Sequence, residues 1–195
     1  MRSPIIKPLA DRGLILEFDE GPSTELTRMM SGLCTKLLGI EGVIDAAPGH
    51  RTSLIEVQPE RRSEVMRLIP ELIAEAEPHP GILYNVELLY DGPDLEWSLD
   101  ALKVTLDDLV DLHSGRVYDV RLLGSPGFVY LSEVHPRIAL PRKPAPDAVQ
   151  AGAVGIGGRQ TGIYGRDRPG GWRILASVES IPRLHPGDRV RFLPR

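Results

Sequence analysis

The chain has 195 residues, room for one large domain or two small ones, since domains cluster at roughly 100–150 residues. With 42% hydrophobic and 26% charged residues it can bury a core, which excludes chain-wide disorder. A net charge of −4 argues against a nucleic-acid binder, which presents a basic face.

The N-terminal MRSPIIKPLADRG holds no apolar run of the roughly 7–15 residues a signal peptide needs. No stretch approaches the roughly 20 residues of a membrane span, so a cytoplasmic protein is expected. GLILEF (13–18) reads as a strand. In PSTELTRMMSGLCTKLLG, Leu26, Met29, Met30, Leu33, Cys34, Leu37 and Leu38 recur at helical spacing, with Ser23 as N-cap and Gly39 as stop. Cys34 is the one cysteine, so there is no intrachain disulfide and no cysteine-based metal site; its place on the apolar face makes it a core thiol. GVIDAAPG and TSLIEVQP read as two strands around a turn at Gly49 and His50. ERRSEVMRLIPELIAEAE is a second amphipathic helix, with a kink expected at Pro70. ILYNVELLY is a further strand. The order strand, helix, strand, strand, helix, strand is the split βαβ, ferredoxin-like arrangement, an α/β sandwich with both helices on one face of an antiparallel sheet. Gly81–Tyr90 would be its last strand, and the turn DGPD (91–94) sets domains at 1–90 and 91–195.

LEWSLDALKVTLDDLVDLHS carries two short helical patterns broken near 103–105, with Thr105 as N-cap of the second. The segment is acidic, which speaks against a helix-turn-helix that must approach phosphate. Beyond Ser114 helical period is lost. Short apolar runs alternate with Gly- and Pro-rich turns, the pattern of an all-β domain and a small barrel; in LHPGDRVRF, Val190 and Phe192 face one way, Arg189 and Arg191 the other. The whole is an α+β chain.

GGRQTGIYGRDRPGGW (157–172) holds six glycines, three arginines, a tyrosine and a tryptophan. Its glycines free the backbone for positive φ and for close ligand approach. Gln160, Thr161 and Tyr164 add an amide, a hydroxyl and a phenol that suit a lactam or urea-like amide; the alternative is a barrel rim whose glycines only serve turns. These three side chains are expected together at one opening of the barrel, beside Gly124–Phe128. The amides of that loop could face an oxyanion, or the loop is a simple turn. Trp172 is a core aromatic behind the Pro-Gly-Gly turn. His113, where a helix pattern ends, is either a general acid–base or a cap on the helix C-terminus. Arg137 and Arg142 suit carboxylate or phosphate, or are solvated surface; Arg121 alternates with Leu122 on a strand and could face a pocket. The candidate site therefore assigns His113, Gln160 and Tyr164 catalytic roles and Gly127, Phe128, Arg137, Thr161 and Gly162 to substrate binding. No metal is expected, because neither H-E-x-x-H nor a paired histidine cluster occurs. There is no G-x-x-x-x-G-K-[ST] phosphate loop and no G-x-S-x-G elbow.

LHS (112–114), LLGSPGFVYL (122–131), HPRIALPRKPAP (135–146), QAGAVGIGGRQTGIYGRDRPGGW (150–172) and LHPGDRVRF (184–192) occur in this order. Together with ADRGLILEF, GVIDAAPGHRTSLIEV and VELLYDGPDLE they make the chain resemble the KipI/PxpB family, also called allophanate hydrolase subunit 1, a module that is also half of the carboxyltransferase domain of urea carboxylase. The likeness covers nearly the whole chain. It departs from the family pattern in GSPGFVYL, which is one residue short, at His135 in place of an acidic residue, at Ala153 in place of a serine, and at ASV (176–178) in place of G-R-T. The resemblance implies a ferredoxin-like N-domain and a cyclophilin-like β-barrel. It implies a subunit, inactive alone, of an ATP-dependent 5-oxoprolinase that opens 5-oxo-L-proline to L-glutamate, with ATP (and Mg) bound by the assembled complex. The implied partners are a KipA/PxpC-type subunit (allophanate hydrolase subunit 2) and a PxpA (LamB/YcsF)-type protein. The other readings are a carboxyltransferase half acting on urea or a related amide, and a KipI-like inhibitor of a sporulation histidine kinase.

Overall fold

Apolar alternation in the first predicted strand puts Leu14 and Leu16 on one face, and both are fully buried. The computed structural model describes residues 3–124 and 126–195. It shows a mixed α+β chain of two compact units, Met1–Gly81 and Ile82–Arg195. No helix among the described residues is long and apolar enough to cross a membrane.

In the first unit, β1 (Ile5–Leu9) and β2 (Gly13–Glu17) form a hairpin. Helix α1 (Thr24–Leu37) follows, then β3 (Val43–Pro48), β4 (Thr52–Val57) and α2 (Arg62–Glu75). The antiparallel sheet runs β1-β2-β4-β3. Ser23 Oγ accepts from the Leu26 amide at 3.0 Å, so the predicted N-cap starts α1. Leu26, Met30, Leu33, Cys34 and Leu37 then pack with Val65, Ile69 and Leu72 of α2 against Leu14, Leu16, Ile55 and Val57 of the sheet. Burial pushes the Cys34 thiol up to about 11, the behaviour of a core thiol. Pro70 sits inside an unbroken α2. The strand of this unit missed by the sequence reading is β1. It holds the sheet edge beside β2, where Pro8, with no N–H to give, is tolerated.

The strand expected to close that sheet lies elsewhere. β5 (Leu83–Leu88) belongs to the second unit, where it runs parallel to β13 (Arg189–Pro194). The boundary expected at residue 90 falls at Gly81. After β5 come α3 (Leu95–Leu102) and α4 (Leu106–Ser114), separated by Lys103 at φ 54°. Thr105 and Asp108 close a capping box at the start of α4. The strands that follow are β6 (Val117–Gly124), β7 (Phe128–Glu133), β8 (Asp147–Val149), β9 (Ala153–Gly157), β10 (Gln160–Tyr164), β11 (Arg168–Gly170) and β12 (Arg173–Ser177). The large sheet runs β12-β9-β10-β7-β6-β13-β5, and β8 and β11 pair as a separate ribbon. The large sheet curls until its two edges meet at one bridge, where Leu89 and Ser177 exchange backbone hydrogen bonds of 3.0 and 2.8 Å. Inside the curl lies an apolar core that includes Val120, Leu131, Val154, Ile156, Ile163, Leu175, Val190 and Phe192. A second buried cluster of Phe128, Val149, Ala153, Tyr164, Trp172 and Ile174 is built from β7 to β12.

Asp188, fully buried, pins β5 to the turn before β13. Its carboxylate accepts from the Ile82 and His185 amides, each at 2.8 Å. Asp188→Ala strands both donors, at roughly 1–3 kcal/mol each. Urea unfolding of the variant is expected to show at least about 2 kcal/mol of lost stability; a loss below about 0.5 kcal/mol would show that the amides find other partners.

Candidate functional site

Strand β10 carries half of the predicted site, and it divides those residues between two faces. Thr161 is fully buried on the side of the inner core. Its hydroxyl donates to Gly155 O at 3.1 Å and lies 3.0 Å from His113 Nε2. Since the Thr161 proton is committed to Gly155, Nε2 is the donor toward Thr161 Oγ1. His113 Nδ1 then accepts from the Tyr90 hydroxyl at 2.9 Å. The imidazole stacks on Phe192 with centroids 5.1 Å apart, and the Tyr118 hydroxyl donates to the His113 carbonyl at 2.7 Å. His113 has no exposed surface, and burial pushes its pKa down to about 3. Neither reading offered by the sequence fits. This is not an acid–base group open to substrate, nor a charged cap on a helix dipole, but a neutral imidazole whose two ring nitrogens tie α4 to β10 and to Tyr90.

Gly162 and Tyr164 face the other way, into the second cluster. Gln160, at the opposite end of β10, donates its side-chain amide to Leu131 O at 3.2 Å. At about 3.3 Å rise per residue, four residues separate it from Tyr164 by roughly 13 Å. The structure therefore does not gather Gln160, Thr161 and Tyr164 at one opening. Gly124 and Phe128 pair across the β6–β7 hairpin, and Pro126 and Gly127 lie in a turn before Phe128; Ser125 lies outside the described residues. Gly127, at φ 71°, holds that turn to β10 by accepting from the Gly165 amide at 2.9 Å. Arg137 lies exposed on the short 3-10 turn Pro136–Ile138, near Asp108 of α4.

The glycine-rich string has a different purpose from the one its composition implied. Of its glycines only Gly158 has positive φ, at 67°, in the two-residue turn between β9 and β10. Three others lie under aromatic rings. A Cβ on Gly157 would stand 2.5 Å from Trp172 Cδ2, one on Gly162 2.6 Å from Phe128 Cζ, and one on Gly170 2.6 Å from Tyr164 Cε1. Those rings pack edge to face, Phe128 lying 4.6 Å from Tyr164, 4.9 Å from Trp172 and 4.5 Å from Tyr130.

Above this aromatic floor opens a cleft of about 350 Å³, within the range of small-ligand sites. Phe128, Tyr130, Tyr164 and Trp172 form its base, Pro144, Pro146 and Pro169 its stiff walls, and Arg142, Lys143 and Arg168 its charged lining. The Arg142 guanidinium carbon sits 5.6 Å from the centroid of the Trp172 ring. Lys143 Nζ lies 2.6 Å from Asp94 Oδ2 and 2.8 Å from Asp147 Oδ2. Burial alone would lower its pKa, but the hydrogen bonds to Asp147 and Asp94 outweigh this and raise it, so the amine is held charged. Asp94 is fixed in turn by the Ile174 amide at 2.8 Å and by Arg173 at 3.7 Å. Lys143 also lines a second cleft of about 540 Å³, with Asp91, Asp94 and Asp147 among its walls. Of the predicted site residues the cleft over the aromatic floor keeps Phe128 and Tyr164. Sequence reading passed over Lys143, Arg168 and Tyr130. For Lys143 the signal was the PRKPAP run, since prolines on both sides hold its cations in place.

The sequence matches the family model for the carboxyltransferase domain, subdomain C and D, over residues 4–180. The chain belongs to this family. Within it, it is of the KipI/PxpB type, 30% identical over 207 residues to a 5-oxoprolinase subunit of Escherichia coli, covering 96% of this chain and 94% of that relative. The solved structure of TTHA0988 superposes with a TM-score of 0.84 at 36% identity, over 94% of this chain and 40% of the TTHA0988 chain. Urea carboxylase of Kluyveromyces lactis shares the fold, with a TM-score of 0.72 at 16% identity over 97% of this chain and 21% of that enzyme. This module thus spans under half of either longer chain.

His113 binds its proton far less readily folded than unfolded, where its pKa is about 6.5. It therefore contributes stability that is complete above pH 6.5 and lost as pH falls toward 3, by up to about 1.4 kcal/mol per pH unit. His113→Gln is expected to flatten the acid limb of the stability curve by that slope relative to wild type; parallel curves would mean that His113 is protonated in the fold. Gly157→Ala drives a methyl into Trp172 and is expected to cost roughly 1–3 kcal/mol and to change the near-UV circular dichroism. An unchanged aromatic spectrum would show that the ring yields freely.

Proposed function

We propose that this chain is a subunit of an ATP-dependent 5-oxoprolinase, which opens 5-oxo-L-proline to L-glutamate together with a KipA/PxpC-type subunit and a PxpA-type protein in the cytoplasm. One observation carries the reading, the match along almost the full length of both chains to a relative named as a subunit of 5-oxoprolinase. In fold terms the first unit is ferredoxin-like with β1 standing where the final strand usually lies, and the second is a cyclophilin-like barrel.

The site's chemistry supports a recognition subunit. Its charged lining holds and orients an anion, its proline walls limit the shape admitted, and its aromatic base excludes water. His113, the histidine the sequence offered for proton transfer, has no exposed surface and both ring nitrogens engaged. Proton transfer and lactam opening are therefore assigned to residues brought by the partners. For ATP the glycine-rich segment does not fit. The glycine-rich segment runs through strands and hairpin turns and opens no helix, so its amides make no phosphate cradle of the helix-N-terminus kind. ATP use belongs, in this proposal, to the assembled complex.

The test is reconstitution with the two partner types and measurement of ATP hydrolysis. Turnover is expected with 5-oxoproline and not with urea or allophanate, and only when all components are present. Turnover driven by urea, or by this chain alone, would overturn the reading.

A further inference from the structure

The geometry points to the cleft over Phe128, Tyr130, Tyr164 and Trp172 as a preformed binding site for a small, compact amide bearing a single carboxylate, with Arg142 as the residue that takes the carboxylate. In the choice of ligand this rests on the 5-oxoprolinase reading; the site itself stands on three observations of its own.

The first is charge. The protein carries a net charge of −4, yet the described residues lining this cleft include three cations, Arg142, Lys143 and Arg168, and no acidic side chain. The carboxylates that hold Lys143, Asp94 and Asp147, line the neighbouring cleft instead. Lys143 thus marks the boundary between an acidic cleft and a cationic one. An anion entering the cationic side meets positive potential in a partly desolvated setting, where charge–charge attraction is stronger than in water.

The second is preparation. Lys143 spends two of its three N–H donors on Asp94 and Asp147, which fixes the ammonium and leaves one donor. Arg142 lies over the Trp172 ring, which limits the freedom of its guanidinium while its fork of donors remains able to grip a carboxylate. Pro144, Pro146 and Pro169 fix the backbone of the walls. Little ordering is left for the ligand to impose, so binding requires no other protein.

The third is the shape of the ligand that fits. A cleft of about 350 Å³ with an aromatic base accepts a small ring better than a chain or a nucleotide. The Tyr164 phenol, beside Gly170, adds a polar group at the base for an amide's C=O or N–H.

The experiment is titration of the purified chain, in a Trp97→Phe background so that Trp172 is the sole tryptophan, with 5-oxo-L-proline, with 2-pyrrolidinone (the lactam without the carboxylate) and with cyclopentanecarboxylate (the carboxylate without the lactam). A saturable change in Trp172 fluorescence is expected with 5-oxoproline. Affinity for 2-pyrrolidinone, and affinity of Arg142→Gln for 5-oxoproline, should each be lower by about tenfold or more, as loss of a charge-assisted hydrogen bond dictates, with the melting temperature unchanged. No saturable signal, equal binding of 2-pyrrolidinone, or full affinity in Arg142→Gln would overturn the proposal. The two readings fail separately. If 5-oxoproline binds more tightly than both 2-pyrrolidinone and cyclopentanecarboxylate but the reconstituted complex does not open it, the site stands and the enzyme reading falls. If the complex with Arg142→Gln opens 5-oxoproline with unchanged KM, the enzyme reading stands and this cleft is not its substrate site.

Discussion

Three glycines set beneath three aromatic rings are the constraint on which the second unit's outer cluster depends. Gly157, Gly162 and Gly170 leave no room for a Cβ, because Trp172, Phe128 and Tyr164 already occupy that space. Backbone that approaches a ring this closely can only be glycine. The rings then settle edge to face, within 5 Å of Phe128 for both Tyr164 and Trp172, and the cleft's floor is as rigid as the strands beneath it. Close packing of this kind tolerates little change in volume.

Strand β10 works as a partition. Its inward residues join the core inside the curled sheet, where Thr161 meets His113. Its outward residues meet Phe128 and the ribbon of β8 and β11. A buried polar pair such as His113 and Thr161 is tolerable only when every donor and acceptor is matched, and here the chain Tyr90, His113, Thr161, Gly155 is closed at each link. The polar side chains that the sequence places next to one another are thereby committed to different environments.

Much of the fold was legible. Both helices of the first unit and the two short acidic ones follow from apolar spacing and from the caps at Ser23 and Thr105. Two things escaped. β1 carries a proline and little apolar pattern, because an edge strand needs neither full pairing nor two buried faces. β5 reads as any half-buried strand, and nothing local says that its partner is β13 rather than β2; the pairing is non-local, and pattern does not encode it. At the site, adjacency in sequence misled. Gln160, Thr161 and Tyr164 lie on one short strand, and a strand sends neighbours to opposite faces. Phe128, singled out for its loop, and Tyr164, for its phenol, both line the cleft, but residue type could not distinguish a catalytic histidine from a core one, since that difference lies in burial.

The place of β13 bears on how the chain is made. It sits between β6 and β5, and the contact of Ile82 with Asp188 joins residues 106 apart in sequence. A ribosome delivers residues in order at about 5–20 per second. The first unit can complete its four-stranded sheet as soon as α2 has emerged. The second cannot: until residue 194 is out, β5 and β6 lack the strand that joins them, and their apolar faces stay open to solvent. This unit therefore completes its sheet only after β13 has been synthesised, so its folding is coupled to the end of the unit, whereas that of the first unit is not.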